Sequence, residues 1–394
     1  MRNHTQGKNK AAGATQSRGF LEALKKRHPA IRQALSEAVK RFGKRFGVCG
    51  VGVGRRYHEK KGHYARSRSY CIKVLVRQKV KKPTPKERIP RWLHVKIPGR
   101  LRRMRVEIDV ISLLGASGKP GRFTQGRGWP TAGRLDIGRL FATHVLPPGT
   151  PMSTLPSLQA EVGTTGSLVR VKRSGAIYAV TASHVFLDLC AGDRDAPNDD
   201  RAIAVTRQDW AVVPNQSYYP LTVTIGDWIR DCLAFRAPNN FCPTTPSWPD
   251  GFTGELATQD DTDRALLSTT PTGFIWVERG ASRPVMIPID IDAFIDPAVL
   301  VIERNGQSFD LGFVQTWRSR FLPGADTPTN QRATMGGDSG AAVFVWAENN
   351  TNCRLLGFHF YEPDDQTMSY AVDARWFFRQ AFGEGFGIDY SLLI

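Results

Sequence analysis

MGGDSGAAVF, residues 335–344, is the stretch on which the reading of this chain turns. Glycines flank Asp338 and Ser339, and an apolar run comes directly after. A serine hydroxyl is a poor nucleophile alone and needs a base within hydrogen-bond reach. The tetrahedral intermediate of acyl transfer needs N–H donors aimed at its oxyanion. In a G-D-S-G turn the N–H groups of Gly337 and Ser339 can converge on one point. Glycine at 337 permits backbone angles that a β-carbon forbids, and Gly340 leaves room beside the nucleophile. By itself the tetrapeptide is common in turns. Its weight comes from a second stretch upstream, YAVTASHVF at 178–186, where a β-like run of small and apolar residues leads to His184. A histidine is the side chain best suited to take and return a proton near neutral pH.

Together, TASH at 181–184 and GDSG at 337–340 resemble the motifs of the chymotrypsin/trypsin family of serine peptidases. Histidine before serine is also that family's chain order. The resemblance covers roughly residues 134–394. It implies a mostly β, chymotrypsin-like double β-barrel, a catalytic triad and a cleft between the barrels. It implies serine endopeptidase chemistry with His184 as general base, Ser339 as nucleophile and the Gly337 and Ser339 amides as oxyanion hole. No cofactor is required, and the partner is a protein or peptide substrate.

In the family the residue orienting the histidine usually opens a D-x-[AT]-[LIV]-[LIV] segment. This chain has two, DWAVV from Asp209 and DRALL from Asp263. Asp263 leaves more room for strands after His184 and is the favoured member, with Asp209 as the alternative. The bland reading of either is a strand-end aspartate capping a turn. GTTGSLV at 163–169, with the CGVGVGRRY stretch from Cys49, is similar to a bacterial and plant trypsin-like subgroup with an N-terminal module. LLGFHF at 355–360 is expected to be the strand lining the S1 pocket. Gly357 and His359 there resemble the G-x-H of peptidases that read Glu or Gln at P1, which would leave the His359 ring edge open to the cleft. The plain alternative is a core histidine satisfied by a backbone carbonyl.

Around these motifs the chain falls into four parts. Residues 1–47 are a basic tail and amphipathic helix. Leu21, Leu24, Ile31, Leu35, Val39, Phe42 and Phe46 recur at three- and four-residue steps on one face, with an interruption at Pro29. Residues 48–114 are strand-like and read as a small α+β module, separate from the rest of the chain. GVGVG at 50–54 lacks the GK[ST] of a phosphate-binding loop, so the glycines are expected to mark close backbone packing. Residues 115–133 are a Gly/Pro-rich linker. Residues 134–394 carry a dozen short strand-like runs, DRALLS at 263–268 among them, as a barrel or sandwich requires.

Charge is uneven. The formal net charge is +18, yet residues 1–110 hold 31 Lys and Arg against 6 Asp and Glu, and the remainder is acidic on balance. Such a segment attracts polyanions: nucleic acid, an acidic protein or an anionic lipid surface. The first twenty residues lack an apolar export core, and no run reaches the length of a membrane span. Six cysteines show no CxxC pair and no zinc spacing. A cytoplasmic protein with reduced thiols is the expectation, with Cys232 and Cys242 able to close a loop otherwise. Two rival functions remain: a catalytically weak scaffold on a peptidase fold, and a polyanion-binding protein acting through the basic module.

Overall fold

The computed structural model describes residues 24, 26–60, 63–80, 82–85, 87–114, 122–123, 126–127, 151–154, 161–164, 166–182, 203–205, 223–227, 232–236, 248–267, 272–278, 284–304, 307–313, 315–322, 334, 338–347, 351–363 and 367–393. His184, Asp209 and Gly337 lie outside them.

Helix α1, Pro29–Phe42, starts with its proline at the first helical turn, where a missing N–H costs nothing. Its buried stripe is Ile31, Ala34, Leu35, Ala38 and Phe42. Val39 and Phe46 are exposed, contrary to the periodicity reading. Ala38 takes the inward position beside Val39, and Phe46 lies past the helix end. Strands β1 (Val48–Lys60), β2 (His63–Val76), β3 (Trp92–Val95) and β4 (Met104–Ser112) come next in the chain. They form a sheet in the order β1-β2-β4-β3 under α1. The glycines of β1 do mark close backbone packing. A Cβ on Gly52 would collide with the backbone of Phe294 and Ile295.

A series of short strands continues the chain: β5 (Arg122–Phe123), β6 (Gly126–Arg127), β7 (Pro151–Thr154), β8 (Glu161–Thr164), β9 (Ser167–Val171), β10 (Ile177–Thr181), β11 (Ile203–Val205), β12 (Val223–Asp227) and β13 (Cys232–Arg236). They give two sheets among the described residues, β11-β7-β8-β6 and β12-β13-β10-β9-β22, the last strand being C-terminal. The remaining elements are β14 (Phe252–Leu256), helix α2 (Gln259–Leu267), β15 (Gly273–Glu278), β16 (Pro284–Arg304), β17 (Gln307–Phe313), β18 (Thr316–Phe321), β19 (Ala342–Trp346), β20 (Cys353–Glu362), β21 (Met368–Asp373), helix α3 (Ala374–Phe382) and β22 (Tyr390–Leu392).

Six of these close on themselves. The order β15-β19-β20-β21-β18-β16 returns to β15 through the β15–β16 pairing. The strand sets β15-β16-β18 and β19-β20-β21 thus interlock as two halves of one antiparallel barrel, joined at β15–β19 and β18–β21. Closure removes the exposed edges an open sheet would leave. This is a mostly β fold built on a closed barrel, as expected from the sequence, preceded by a basic helix and a small α+β unit.

Alternate barrel residues divide between two cores, as the two-residue period of a strand demands. Ile275, Ile287, Ile289, Trp317, Val343 and Leu356 share one core with α1 and the module strands. Phe274, Phe344 and Phe358 share the other with Leu168 and Val180 of the preceding sheet and with Phe377 and Phe378 of α3.

Two departures from the sequence reading concern layout. The module is not a sheet of its own: β1 pairs with β16 at Gly52↔Ile295, Val53↔Phe294 and Gly54↔Ala293. The thirteen-stranded sheet therefore runs from barrel into module without a break. The second departure is DRALLS, read as a strand, which lies mostly in helix α2. Thr258 and Asp261 explain why. The Thr258 N–H and hydroxyl donate to Asp261 Oδ2 at 2.8 and 2.6 Å. The Asp261 N–H donates back to Thr258 Oγ1 at 3.1 Å. This reciprocal capping box fixes the first helical turn.

Candidate active site

The turn that carries Ser339 is gripped from two sides. On one side the Thr164 N–H donates to the Ser339 carbonyl at 2.6 Å, and Thr181 Oγ1 donates to the Thr164 carbonyl at 2.6 Å. On the other, the Gly340 N–H donates to the His359 carbonyl at 2.7 Å, and the His359 N–H donates to the Ala341 carbonyl at 2.8 Å. The turn closes on itself through Ala341 N–H to Asp338 O at 3.0 Å. Ser339 is fully buried, and its hydroxyl donates to the Phe360 carbonyl at 3.4 Å.

Gly340 is required here. Its φ is +92°, where a side chain is strained. A Cβ would collide with Thr181 Oγ1, the Thr164 carbonyl and the Ala182 nitrogen. The described ends of the two sequence motifs, Thr181-Ala182 and Ser339-Gly340, are therefore in direct contact, although 157 positions separate Ala182 from Ser339 in the chain. The chain leaves the described residues at Ala182, two positions before His184.

Asp263 is held by other partners. On α2, its Oδ1 accepts from the Tyr70 hydroxyl and from Gln259 Nε2 at 2.7 Å. Its Oδ2 pairs with Arg27 at 3.2 Å. Burial and the adjacent carboxylate push the Tyr70 hydroxyl far above its ordinary range, so the phenol stays a donor. These partners belong to the N-terminal segment, to β2 and to α2 itself. Asp263 braces α2 against the module, a role that its pattern D-R-A-L-L did not suggest. Asp261 braces the opposite side. Arg354 on β20 reaches it at 2.9 Å.

His359 lies on β20 opposite Ala371 of β21. It is fully buried, with Nδ1 2.8 Å from Ser369 Oγ. The ring edge expected to face a cleft is enclosed instead. The next residue, Phe360, supplies the carbonyl that holds the Ser339 hydroxyl. Gly357 lets β21 approach, since a Cβ there would meet the Val372 carbonyl.

One buried cluster escaped the sequence reading. Lys73 Nζ pairs with Asp109 at 2.9 Å and with Asp292 at 3.0 Å. Asp292 also pairs with Arg318, whose Nε donates to the Tyr370 hydroxyl of β21 at 3.2 Å. Burial pulls the Lys73 ammonium down from its ordinary value while Asp109 opposes this. The cluster joins β2 and β4 of the module to β16, β18 and β21 of the barrel. The only trace in the sequence is a charge inside each apolar run. Among the described residues no group of three or more His, Cys, Asp or Glu could hold a metal ion. No described helix is long and apolar enough to cross a membrane.

The described residues thus hold a closed antiparallel barrel with a buried serine turn clamped against the neighbouring sheet. A scan of protein-family models finds no match, and a search of curated proteins finds none. Among solved structures, the NS6 protease from murine norovirus 1 is 13% identical over 50% of this chain and 80% of its own, at a TM-score of 0.26. An inactive mutant of the murine norovirus NS6 protease, extended at its C-terminus to include residue P1 prime of NS7, is 15% identical. It covers 54% of this chain and 84% of its own, at a TM-score of 0.28. Likenesses this distant carry no inference about this chain's chemistry.

Proposed function

We propose that this chain is a serine endopeptidase. The observation that carries the reading is the contact between Thr181-Ala182 and Ser339-Gly340. It brings the approach to His184 against the nucleophile turn, and two residues of chain span at most about 7 Å. In this reading Ser339 Oγ attacks the scissile carbonyl. His184 takes its proton and returns it to the leaving amine. The Gly337 and Ser339 N–H groups receive the oxyanion. Asp263's bonds to Tyr70, Gln259 and Arg27 favour Asp209 as the carboxylate that orients His184 and balances the imidazolium. The basic N-terminal module docks an anionic partner, with Phe46, Val80 and Leu101 exposed among its Lys and Arg residues.

A fluorophosphonate probe tests the reading directly. Labelling of wild type at Ser339, absent in Ser339→Ala, is the expected result. A folded chain that resists the probe both with its native residues 117–129 and with them replaced by a Gly/Ser segment would leave the scaffold alternative standing.

A further inference from the structure

The linker that the sequence marks only by its glycines and prolines contains two short strands, and their pairing is specific. β5 runs antiparallel to β20, with Phe123 opposite Tyr361 and Arg122 opposite Glu362. β6 runs antiparallel to β8, with Gly126 opposite Val162 and Arg127 opposite Glu161. These two host strands are the ones that hold the Ser339 turn. Phe360, next to Tyr361 on β20, accepts from the Ser339 hydroxyl. Thr164, at the end of β8, donates to the Ser339 carbonyl.

Direction strengthens the point. From Arg122 to Phe123 the linker moves along β20 from Glu362 towards Phe360. From Arg127 back to Gly126 it moves along β8 from Glu161 towards Thr164. Both strands head for Ser339, and two residues, Thr124 and Gln125, join them in sequence. An extended peptide that adds to a sheet edge gains main-chain hydrogen bonds whatever its side chains. An edge beside a nucleophile is where a peptide substrate would have to lie to be cut.

We propose that β5 and β6 act as a built-in peptide ligand, occupying in cis the β20 and β8 edges that hold the Ser339 turn and keeping external peptides out. This deepens the peptidase reading and rests on it for the purpose of these edges. The ligand class is an extended peptide with free backbone N–H and C=O groups, and the occupants are this chain's own residues 122–123 and 126–127.

The test uses the full chain in a Ser339→Ala background, so that nothing is consumed. One version keeps the native linker. In the other, residues 117–129 are replaced by a Gly/Ser segment of equal length. A labelled synthetic peptide of residues 117–130 is titrated into each and followed by fluorescence anisotropy. The replaced chain should bind at least about tenfold more tightly, because its β20 and β8 edges are open. Equal affinity, or binding by neither chain, overturns the proposal. Should the replaced chain fail to fold, hydrogen exchange on the intact chain decides. Amides around 122–123 and 361–362 should be protected together, and Phe123→Pro should release both. Protection of 361–362 that survives Phe123→Pro also overturns it. Fluorophosphonate labelling of Ser339 in the replaced chain that keeps its serine separates the two ideas. Labelling without a binding difference removes the in-cis ligand and keeps the peptidase. A binding difference without labelling does the reverse.

Discussion

Gly340 lies so close to Thr181 that a single added methyl group would occupy the space of the threonine hydroxyl. The turn beside Ser339 and the strand leading to His184 are thus fitted to each other across the boundary of two sheets. Gly340→Ala should suffer twice. Its φ of +92° costs about 1–3 kcal/mol for a residue with a side chain, and the collisions push the turn away from β10. Urea denaturation should show the loss. The rate of fluorophosphonate labelling should fall on the order of 100-fold, as displacement of reacting groups by an ångström does.

The two aspartates separate by experiment. Asp209→Asn should leave the melting temperature nearly unchanged and lower kcat by about 10⁴-fold, the scale expected when a histidine loses its orienting carboxylate. Asp263→Asn should do the opposite. Turnover should be largely retained, while the helix brace weakens through Tyr70 and Arg27, with a loss of roughly 1–3 kcal/mol for a buried bond to a charged acceptor. Reversed outcomes would restore Asp263 to the triad.

Lys73 offers a test of the joint between module and barrel. Lys73→Met leaves the buried Asp292 and its neighbour Asp109 without their shared cation. Arg318 stays on Asp292, so the loss falls below the about 3–5 kcal/mol of a buried charge left wholly unpaired. Chemical denaturation of the full chain should reveal that loss as a single cooperative transition, because one continuous sheet carries both parts. Two separate transitions would contradict the joint.

Three buried thiols make stability depend on alkaline pH. Burial raises Cys71 and Cys353 to about 12 and Cys49 to about 11, from an ordinary value of 9.0. The unfolded chain therefore releases these protons first. Stability contributed by the three is unaffected below pH 9 and falls as pH rises through the window from 9 towards 12. Iodoacetamide should modify all three slowly in the native state and rapidly in urea, with mass spectrometry as the readout.

The tight turn at Ser339-Gly340, the strand ending at Thr181 and the glycine packing of β1 were legible in the sequence. Each is a local matter: a turn that needs glycine, a two-residue period, a strand whose missing side chains admit another backbone. The α1 stripe was legible too, apart from Val39 and Phe46, because helical period alone does not say where packing ends. Other features were decided only by the tertiary structure. Asp263 opens a segment with a catalytic pattern, yet Tyr70, 193 positions upstream, claims it. Lys73 finds Asp292 across 219 positions. A glycine-rich linker gains two strands only because β20 and β8 present edges to it. Partners this far apart leave no periodic mark in the sequence. Their meeting depends on chain closure and on which edges the barrel leaves open, and those are properties of the whole fold.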